Sequence, residues 1–316
     1  LFSQETLLRN AEKALLDLVN NTADLDLLTI VGCPLVSGSQ LINAAVAFQR
    51  GEILGVVPKS YLPSYKEFQE ERWFTASSHL QQSMITIGNR EVPLDCYLIF
   101  EYDEVRVGIE ICEDLWVPIP PSSELAMQGA NLIFNLSASN ELIGKHAYLR
   151  SLICQQSARC IAGYVYASAG FGESSTDLVF AGNGIIAENG TLLRESERFS
   201  MEEQLVISEI DIQNLHFMHF HLTSSIIFCQ SLHIDFARRQ DFLSMQEISL
   251  RDISPFRRCL ERTLRGNIPY TGSGTRQACP PCPRPNRRRR HLWGTGFHLG
   301  PTGHRHDLRC LEDPTG

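Results

Sequence analysis

The sequence lacks several features that would assign it to a membrane or to a secretory route. No run of 18 or more apolar residues is present, so no transmembrane helix and no membrane partner are predicted. A basic and then apolar secretory start is also missing, and the first residue is Leu1 rather than Met, which indicates a fragment truncated at its N-terminus. Of the ten cysteines, the six in the first 230 residues show no disulfide-framework spacing. This pattern favours a reducing, cytoplasmic location.

Lysine is scarce, and the positive charge that remains is unevenly placed. All four lysines lie before residue 150, and every later basic side chain is arginine or histidine. The net charge is −8 for the whole chain but +8 from residue 256 onward, so the first 255 residues carry −16. An acidic body offers no electrostatic footprint for nucleic acid, and no nucleic-acid partner is predicted.

The regular apolar patterns stop well before the end of the chain. We predict a domain over residues 1–212, a poorly defined connector over 213–255, and an Arg/Pro/Gly-rich tail over 256–316. The tail cannot bury enough apolar surface to offset its ordering entropy, so it is predicted to be mostly disordered, whether it is a frameshift product or a real extension. Its Cys279 and Cys282 lack a second paired half with zinc-site spacing, so no metal site is predicted.

Helices and strand pairs alternate through the first 212 residues. Helical spacing of apolar residues predicts helices over 3–20, 122–129 and 142–160. Apolar or alternating runs predict strands over 27–33, 43–49, 52–57, 96–102, 105–111, 130–136, 162–167, 178–181, 184–188, 191–194 and 205–210. Intermixed elements of this kind predict an α/β domain in which helices cover the sheets.

The stretch from Val105 to Trp116 organises the functional hypothesis. Its first seven residues alternate apolar and polar side chains, which predicts a strand with one apolar face. Cys112 follows directly, at a strand end where α/β folds present reactive side chains, and a thiol is the side chain closest to being a nucleophile unaided. The alternative is a buried structural cysteine, against which the adjacent Glu113 and Asp114 argue.

Other polar candidates also follow predicted strands. Lys59 comes directly after one and could stabilise an oxyanion and lower the pKa of a nearby thiol, although a solvated surface lysine is the ordinary alternative. Ser139 lies in a polar loop that could bind a substrate or simply cap the following helix. Tyr65 and Lys145 lie near these loops and by themselves would be assigned to the surface.

Several segments in the right order resemble one family. Residues 58–68, 108–116, 135–140, 164–177 and 188–198 are similar to the glutaminase domain of glutamine-dependent NAD synthetases, which belongs to the nitrilase, or carbon–nitrogen hydrolase, superfamily. The resemblance covers residues 1–211. It implies a nitrilase-like α-β-β-α sandwich, incomplete at its first strands.

The resemblance also implies a Glu-Lys-Cys triad that hydrolyses the side-chain amide of L-glutamine. Cys112 would attack the amide, Lys59 would stabilise the oxyanion, and a γ-glutamyl thioester and ammonia would form. The general-base Glu of the family lies before the position of Leu1, which makes the activity of this chain uncertain. Tyr65, Glu113, Trp116, Ser139 and Lys145 would bind the substrate. Lys145 stands where the family has Arg, so its contact would be a point charge rather than a planar fork.

The resemblance finally implies what the glutaminase serves. Its ammonia would pass to a synthetase domain that amidates nicotinate adenine dinucleotide to NAD with ATP and Mg²⁺, whereas the glutaminase part needs no cofactor. The Ser-Gly-Gly-x-Asp-Ser loop of that synthetase domain is absent from this sequence. A homo-oligomer is expected by resemblance. Two alternatives stay open: another carbon–nitrogen hydrolase acting on a small amide, and an inactive remnant.

Overall fold

The computed structural model describes residues 4–173, 178–223 and 233–235, and these form a four-layered sandwich of helix, sheet, sheet and helix. In this part of the chain no helix is both long enough and apolar enough to cross a membrane.

The first two layers come from the N-terminal third of the chain. Helix α1 (Glu5–Asn21) packs on an antiparallel sheet of β1 (Thr29–Ser37), β2 (Gln40–Gln49) and β3 (Glu52–Pro58). The short hairpin of β4 (Met84–Ile87) and β5 (Arg90–Pro93) joins the same apolar cluster. In β2, alternate residues contact this cluster while Ala45 and Ala47 face the second sheet, so both faces of the strand are buried.

The second sheet has seven strands in the order β11-β10-β9-β8-β7-β6-β12. Its strands are β6 (Ile99–Tyr102), β7 (Val105–Ile111), β8 (Leu132–Ser137), β9 (Gly163–Ser168), β10 (Gly184–Glu188), β11 (Thr191–Glu195) and β12 (His233–Asp235). Strands β7, β8 and β9 run parallel, and the remaining pairs are antiparallel except β12 with β6. Helices α2 (Pro121–Met127) and α3 (Lys145–Cys160) pack on its outer face, and α4 (Ile212–Thr223) follows later in the chain.

Strand β7 lies in the middle of this arrangement and is covered on both sides. Ile109 and Ile111 pack between the two sheets. Gly108 faces α2, because a Cβ added to it would lie 3.0 Å from both Leu125 and Ile133 side chains. The single apolar face predicted for this strand is confirmed by Val107, Ile109 and Ile111. The sequence did not show that the second face, with Gly108 and Glu110, is also buried, under a helix.

The layered α/β architecture predicted from the sequence is confirmed, with differences in single elements. Residues 178–181 and 205–210 were predicted as strands and are not, whereas the β4–β5 hairpin and α4 were not predicted. The domain boundaries at 212 and 255 stay predictions. The proposed disorder of residues 256–316 and the cysteine pair within them lie outside the described residues.

Candidate active site

Cys112 begins a single 3₁₀ turn that follows the end of β7. Its φ is +50°, a left-handed conformation that is costly for a residue with a side chain. Its backbone N–H donates to Asn135 Oδ1 at 3.1 Å, and Asn135 is buried at the end of the neighbouring strand β8. The half-buried thiol is thus presented by a strained backbone that a side-chain amide of the next strand supports.

Lys59 directly follows β3 and is 1% exposed, so it is not the solvated surface lysine of the alternative interpretation. Its backbone N–H donates to the carbonyl of Asn43 at 2.8 Å. Its Nζ donates to both carboxylate oxygens of Glu70, at 2.8 and 2.7 Å. A buried ammonium is stable when it is paired and hydrogen-bonded, and Glu70 supplies both conditions.

Asp114 connects the segment of Lys59 with that of Cys112. Its Oδ1 accepts the backbone N–H of Tyr61 at 2.8 Å and of Ser60 at 3.2 Å, and its Oδ2 accepts the backbone N–H of Ile111 at 2.9 Å. Ser60 is the residue after Lys59, and Ile111 is the residue before Cys112. The loops after β3 and β7 therefore meet at one carboxylate.

Tyr65 and Glu113 form the acidic part of the site. The Tyr65 hydroxyl donates to both oxygens of Glu113, at 2.9 and 3.0 Å. Burial, together with this hydrogen bond to Glu113, raises the pKa of Tyr65 to about 12, and the charge of Cys112 contributes in the same direction. Tyr65 is therefore a neutral donor that orients a carboxylate near the thiol.

Lys145, Ser139 and Trp116 form the basic part. The Lys145 Nζ donates to Ser139 Oγ at 2.8 Å and to the backbone and side-chain oxygens of Asn140, both at 2.9 Å. It lies 5.1 Å from the centroid of the Trp116 ring, within cation–π range. Partial burial lowers the pKa of Lys145, while Cys112 and nearby carboxylates, including Glu113, act in the opposite direction.

The structure thus brings the sequence-predicted residues to three loops, after β3, β7 and β8. Sequence analysis missed the contacts of three acidic side chains among and behind them, those of Asp114, Glu70 and Glu110. Asp114 was noted only as a carboxylate near the thiol, and nothing in the sequence marked Glu70 as the partner of Lys59. Glu110 accepts the Ser122 backbone N–H at 2.8 Å and a short bond from the Tyr164 hydroxyl, both out of solvent. In the described part of the chain, no group of three His, Cys, Asp or Glu side chains could hold a metal ion.

Comparison with known families adds an independent observation. The sequence model of the carbon–nitrogen hydrolase family matches residues 3–219, which is more than half of the chain. The chain belongs to the carbon–nitrogen hydrolase family. The resemblance of residues 1–211 to this superfamily is therefore confirmed.

Relatives of this carbon–nitrogen hydrolase refine the comparison. A glutamine-dependent NAD(+) synthetase from Mycobacterium tuberculosis is 45% identical over 215 residues, which cover 67% of this chain and 32% of that protein. A second one, from Aquifex aeolicus, is 30% identical over 215 residues and is covered to 34%. The chain therefore spans about a third of the length of the curated relatives it matches.

A solved structure shares the fold over most of its length. The carbon–nitrogen hydrolase from Helicobacter pylori G27 superposes with a TM-score of 0.55 at 16% identity, covering 70% of this chain and 73% of that one. At this identity the likeness shows the fold alone, and it confirms the nitrilase-like α/β sandwich.

Proposed function

We propose that this carbon–nitrogen hydrolase cleaves the side-chain amide of L-glutamine. The observation that carries the proposal is the pair of opposite charges beside Cys112. Glu113, oriented by Tyr65, offers a carboxylate to an α-ammonium group, and Lys145 beside Ser139 offers an ammonium to an α-carboxylate. A simple aliphatic amide has no charges for these groups to pair with, whereas free glutamine has both.

Cys112 acts as the nucleophile in this proposal. Its sulfur bonds to the amide carbon, and the C–N bond then breaks, so that the thiol proton leaves with ammonia and a γ-glutamyl thioester remains. Water hydrolyses the thioester to glutamate and restores the thiol. Lys59 offers a fixed positive charge to the oxyanion of each tetrahedral intermediate, since Glu70 orients its ammonium out of solvent.

The released ammonia would serve a synthetase domain that makes NAD, and the names of the relatives support this assignment. That this domain uses ATP and Mg²⁺ is part of the same proposal. Those cofactors would act in the synthetase domain, and no residue of the described site is assigned to them. An NAD synthetase partner and a homo-oligomer belong to the same proposal.

Three substrates and one variant test the proposal with the 316-residue chain. Glutamine retains both charged groups, glutaramate lacks the α-amine, and 4-aminobutyramide lacks the α-carboxylate. Since hydrogen bonds to charged groups are worth about 1.5–3 kcal/mol, kcat/KM for glutamine should exceed that for either analogue by about 10-fold or more. Cys112→Ala should abolish turnover of all three, and it should abolish labelling by a glutamine-like electrophile.

Other outcomes favour the alternatives. Equal turnover of glutamine and of an uncharged aliphatic amide would indicate a carbon–nitrogen hydrolase with a different substrate. Absence of both turnover and selective Cys112 labelling would indicate an inactive remnant.

A further inference from the structure

Asp114 is a buried acid that the proposed chemistry does not use directly. It is 1% exposed, and its two oxygens accept peptide N–H groups from two separate parts of the chain. The bond from Tyr61 is 2.8 Å, that from Ser60 is 3.2 Å, and that from Ile111 is 2.9 Å. We refer to this carboxylate and its three peptide donors as the Asp114 clamp.

The clamp joins the backbone next to each of the two reactive side chains. Lys59 precedes Ser60, and Cys112 follows Ile111, so a shift of either peptide displaces a reactive group. The two segments are 54 residues apart along the chain and belong to different sheets. In addition, Cys112 has a φ of +50°, a conformation that persists only when neighbouring contacts enforce it.

We infer that Asp114 is a positioning residue that sets the distance between the Lys59 ammonium and the Cys112 thiol. This inference rests on the proposed function, because it assigns those two groups to one reaction. Misplacement of reacting groups by about 1 Å can reduce a rate by about 10²-fold. A short, rigid connection between the two loops therefore maintains kcat by keeping the two groups in place.

The clamp requires an ionised carboxylate, because a protonated one would turn an O–H group toward a peptide N–H. Burial raises the pKa of Asp114 to about 7, and the charge of Glu110 on β7 acts in the same direction. The N–H bonds from Ile111 and Tyr61 and the charge of Lys59, itself paired with Glu70, oppose the shift. The clamp should therefore open as the pH falls through neutrality.

Activity and stability should respond to this titration in opposite directions. The folded-state pKa of about 7 lies above the ordinary value of 3.8, so the folded chain binds more protons than the unfolded chain between these values. The contribution of Asp114 to stability is thus largest at low pH and is lost as the pH rises through about 7. The value of kcat, in contrast, should rise over the same pH range, because the ionised Asp114 closes the clamp.

Asp114→Asn in the 316-residue chain tests the clamp, with Asp95→Asn as the matched control. Asp95 likewise accepts a backbone N–H, that of Tyr97 at 2.8 Å, but its side chain is exposed. We expect Asp114→Asn to lower kcat for glutamine by about 10²-fold with little change in KM. In the wild type we expect kcat to fall as the pH drops through about 7, and Asp114→Asn should remove this fall. The variant should also slow the alkylation of Cys112 by iodoacetamide. The control should leave all these quantities unchanged.

The inference would be overturned if folded Asp114→Asn had the same kcat as the wild type. It would also be overturned if kcat of the variant fell at acid pH as it does in the wild type. If the variant does not fold, wild-type amide hydrogen exchange decides, after correction for intrinsic rates. Protection of Ser60, Tyr61 and Ile111 should fall together as the pH is lowered through about 7, and unchanged protection would refute the clamp. If the wild type hydrolyses no glutamine, the proposed function fails, while alkylation and exchange still test the clamp.

Discussion

Replacing Glu70 with glutamine should destabilise the fold, because it removes the counterion of a buried ammonium. Lys59 is 1% exposed, and its Nζ lies 2.7 and 2.8 Å from the two oxygens of Glu70, whose side chain is 23% exposed. Glutamine preserves the size of the side chain but leaves one neutral acceptor. The ammonium then stays out of solvent without the charge that it contacts directly.

The size of the effect follows from burial on the two sides of the pair. Removing one partner of a fully buried pair costs about 3–5 kcal/mol, whereas exposed pairs contribute about 0–1 kcal/mol. Lys59 is fully buried, but water reaches part of Glu70 and can solvate the remaining charge. We therefore expect Glu70→Gln to lower the free energy of unfolding by about 2–3 kcal/mol.

Urea unfolding of a double-mutant cycle measures this coupling. Lys59→Met removes the ammonium while retaining an apolar chain of similar length, so adding Glu70→Gln to it should cost less than about 1 kcal/mol. Glu71→Gln is the matched control, since Glu71 is an exposed neighbour that should change stability by no more than about 0.5 kcal/mol. Equal costs of Glu70→Gln in the wild-type and Lys59→Met backgrounds would refute the reasoning.

Three further substitutions address other parts of the molecule. Lys145→Ala should raise KM for glutamine by about 10–100-fold without affecting 4-aminobutyramide, since only the α-carboxylate contact is lost; equal losses would contradict the assigned contact. Gly190→Ala should lower the midpoint of thermal unfolding, because φ is +84° and the new Cβ would lie 3.0 Å from Ala158 Cβ. Gly144→Ala is the control: its φ is +80° but its Cβ would meet no neighbour, so the midpoint should fall less. Burial raises the pKa of Glu110 above 4.5, so its contribution to stability should fall as the pH rises past that value. Glu110→Gln should flatten this dependence in denaturant titrations at several pH values, and an unchanged slope would contradict it.

Strong local signals explain the parts of the fold that the sequence predicts. The strand over 105–111 has the predicted bounds, because alternation over several residues is hard to satisfy in another conformation. The strand over 184–188 has them because the Asn189–Gly190 turn fixes its end. The hairpin turns also lie where predicted. Arg50 and Gly51 have φ values of +50° and +77°, and Asn189 and Gly190 have +42° and +84°, as the tight turns of such hairpins require.

The apolar run over residues 205–210 predicted a strand that the structure does not show. In residues 205–210, Val206 packs near Gly184 and Ile210 near Gly163, while Leu205 and Ile207 are exposed. The apolar residues therefore show that one side of this segment is buried. They do not show that its backbone pairs with a strand, because pairing requires a free sheet edge alongside.

The sequence predicts which loops form the site, but not the contacts that organise them. Polar residues after β3, β7 and β8 could be recognised because reactive side chains collect at strand ends. The partners of Lys59 and of Asp114 could not, since Glu70 is 11 residues from Lys59 and Tyr61 is 53 residues from Asp114. Such pairings depend on the packing of two sheets against each other, which no local pattern encodes.

The segment from Glu110 to Asp114 shows why these contacts matter. Within five residues it contains two buried acids whose pKa values are raised and a cysteine with positive φ. A buried acid with a raised pKa contributes less to stability at neutral pH than at acid pH, so neither acid is explained by folding free energy near pH 7. Both carboxylates instead accept backbone N–H groups, Glu110 from Ser122 at α2 and Asp114 from the residues beside Lys59 and Cys112. Their value therefore lies in geometry: they orient the backbone on either side of the thiol, at a cost in stability that the apolar layers around β7 can offset.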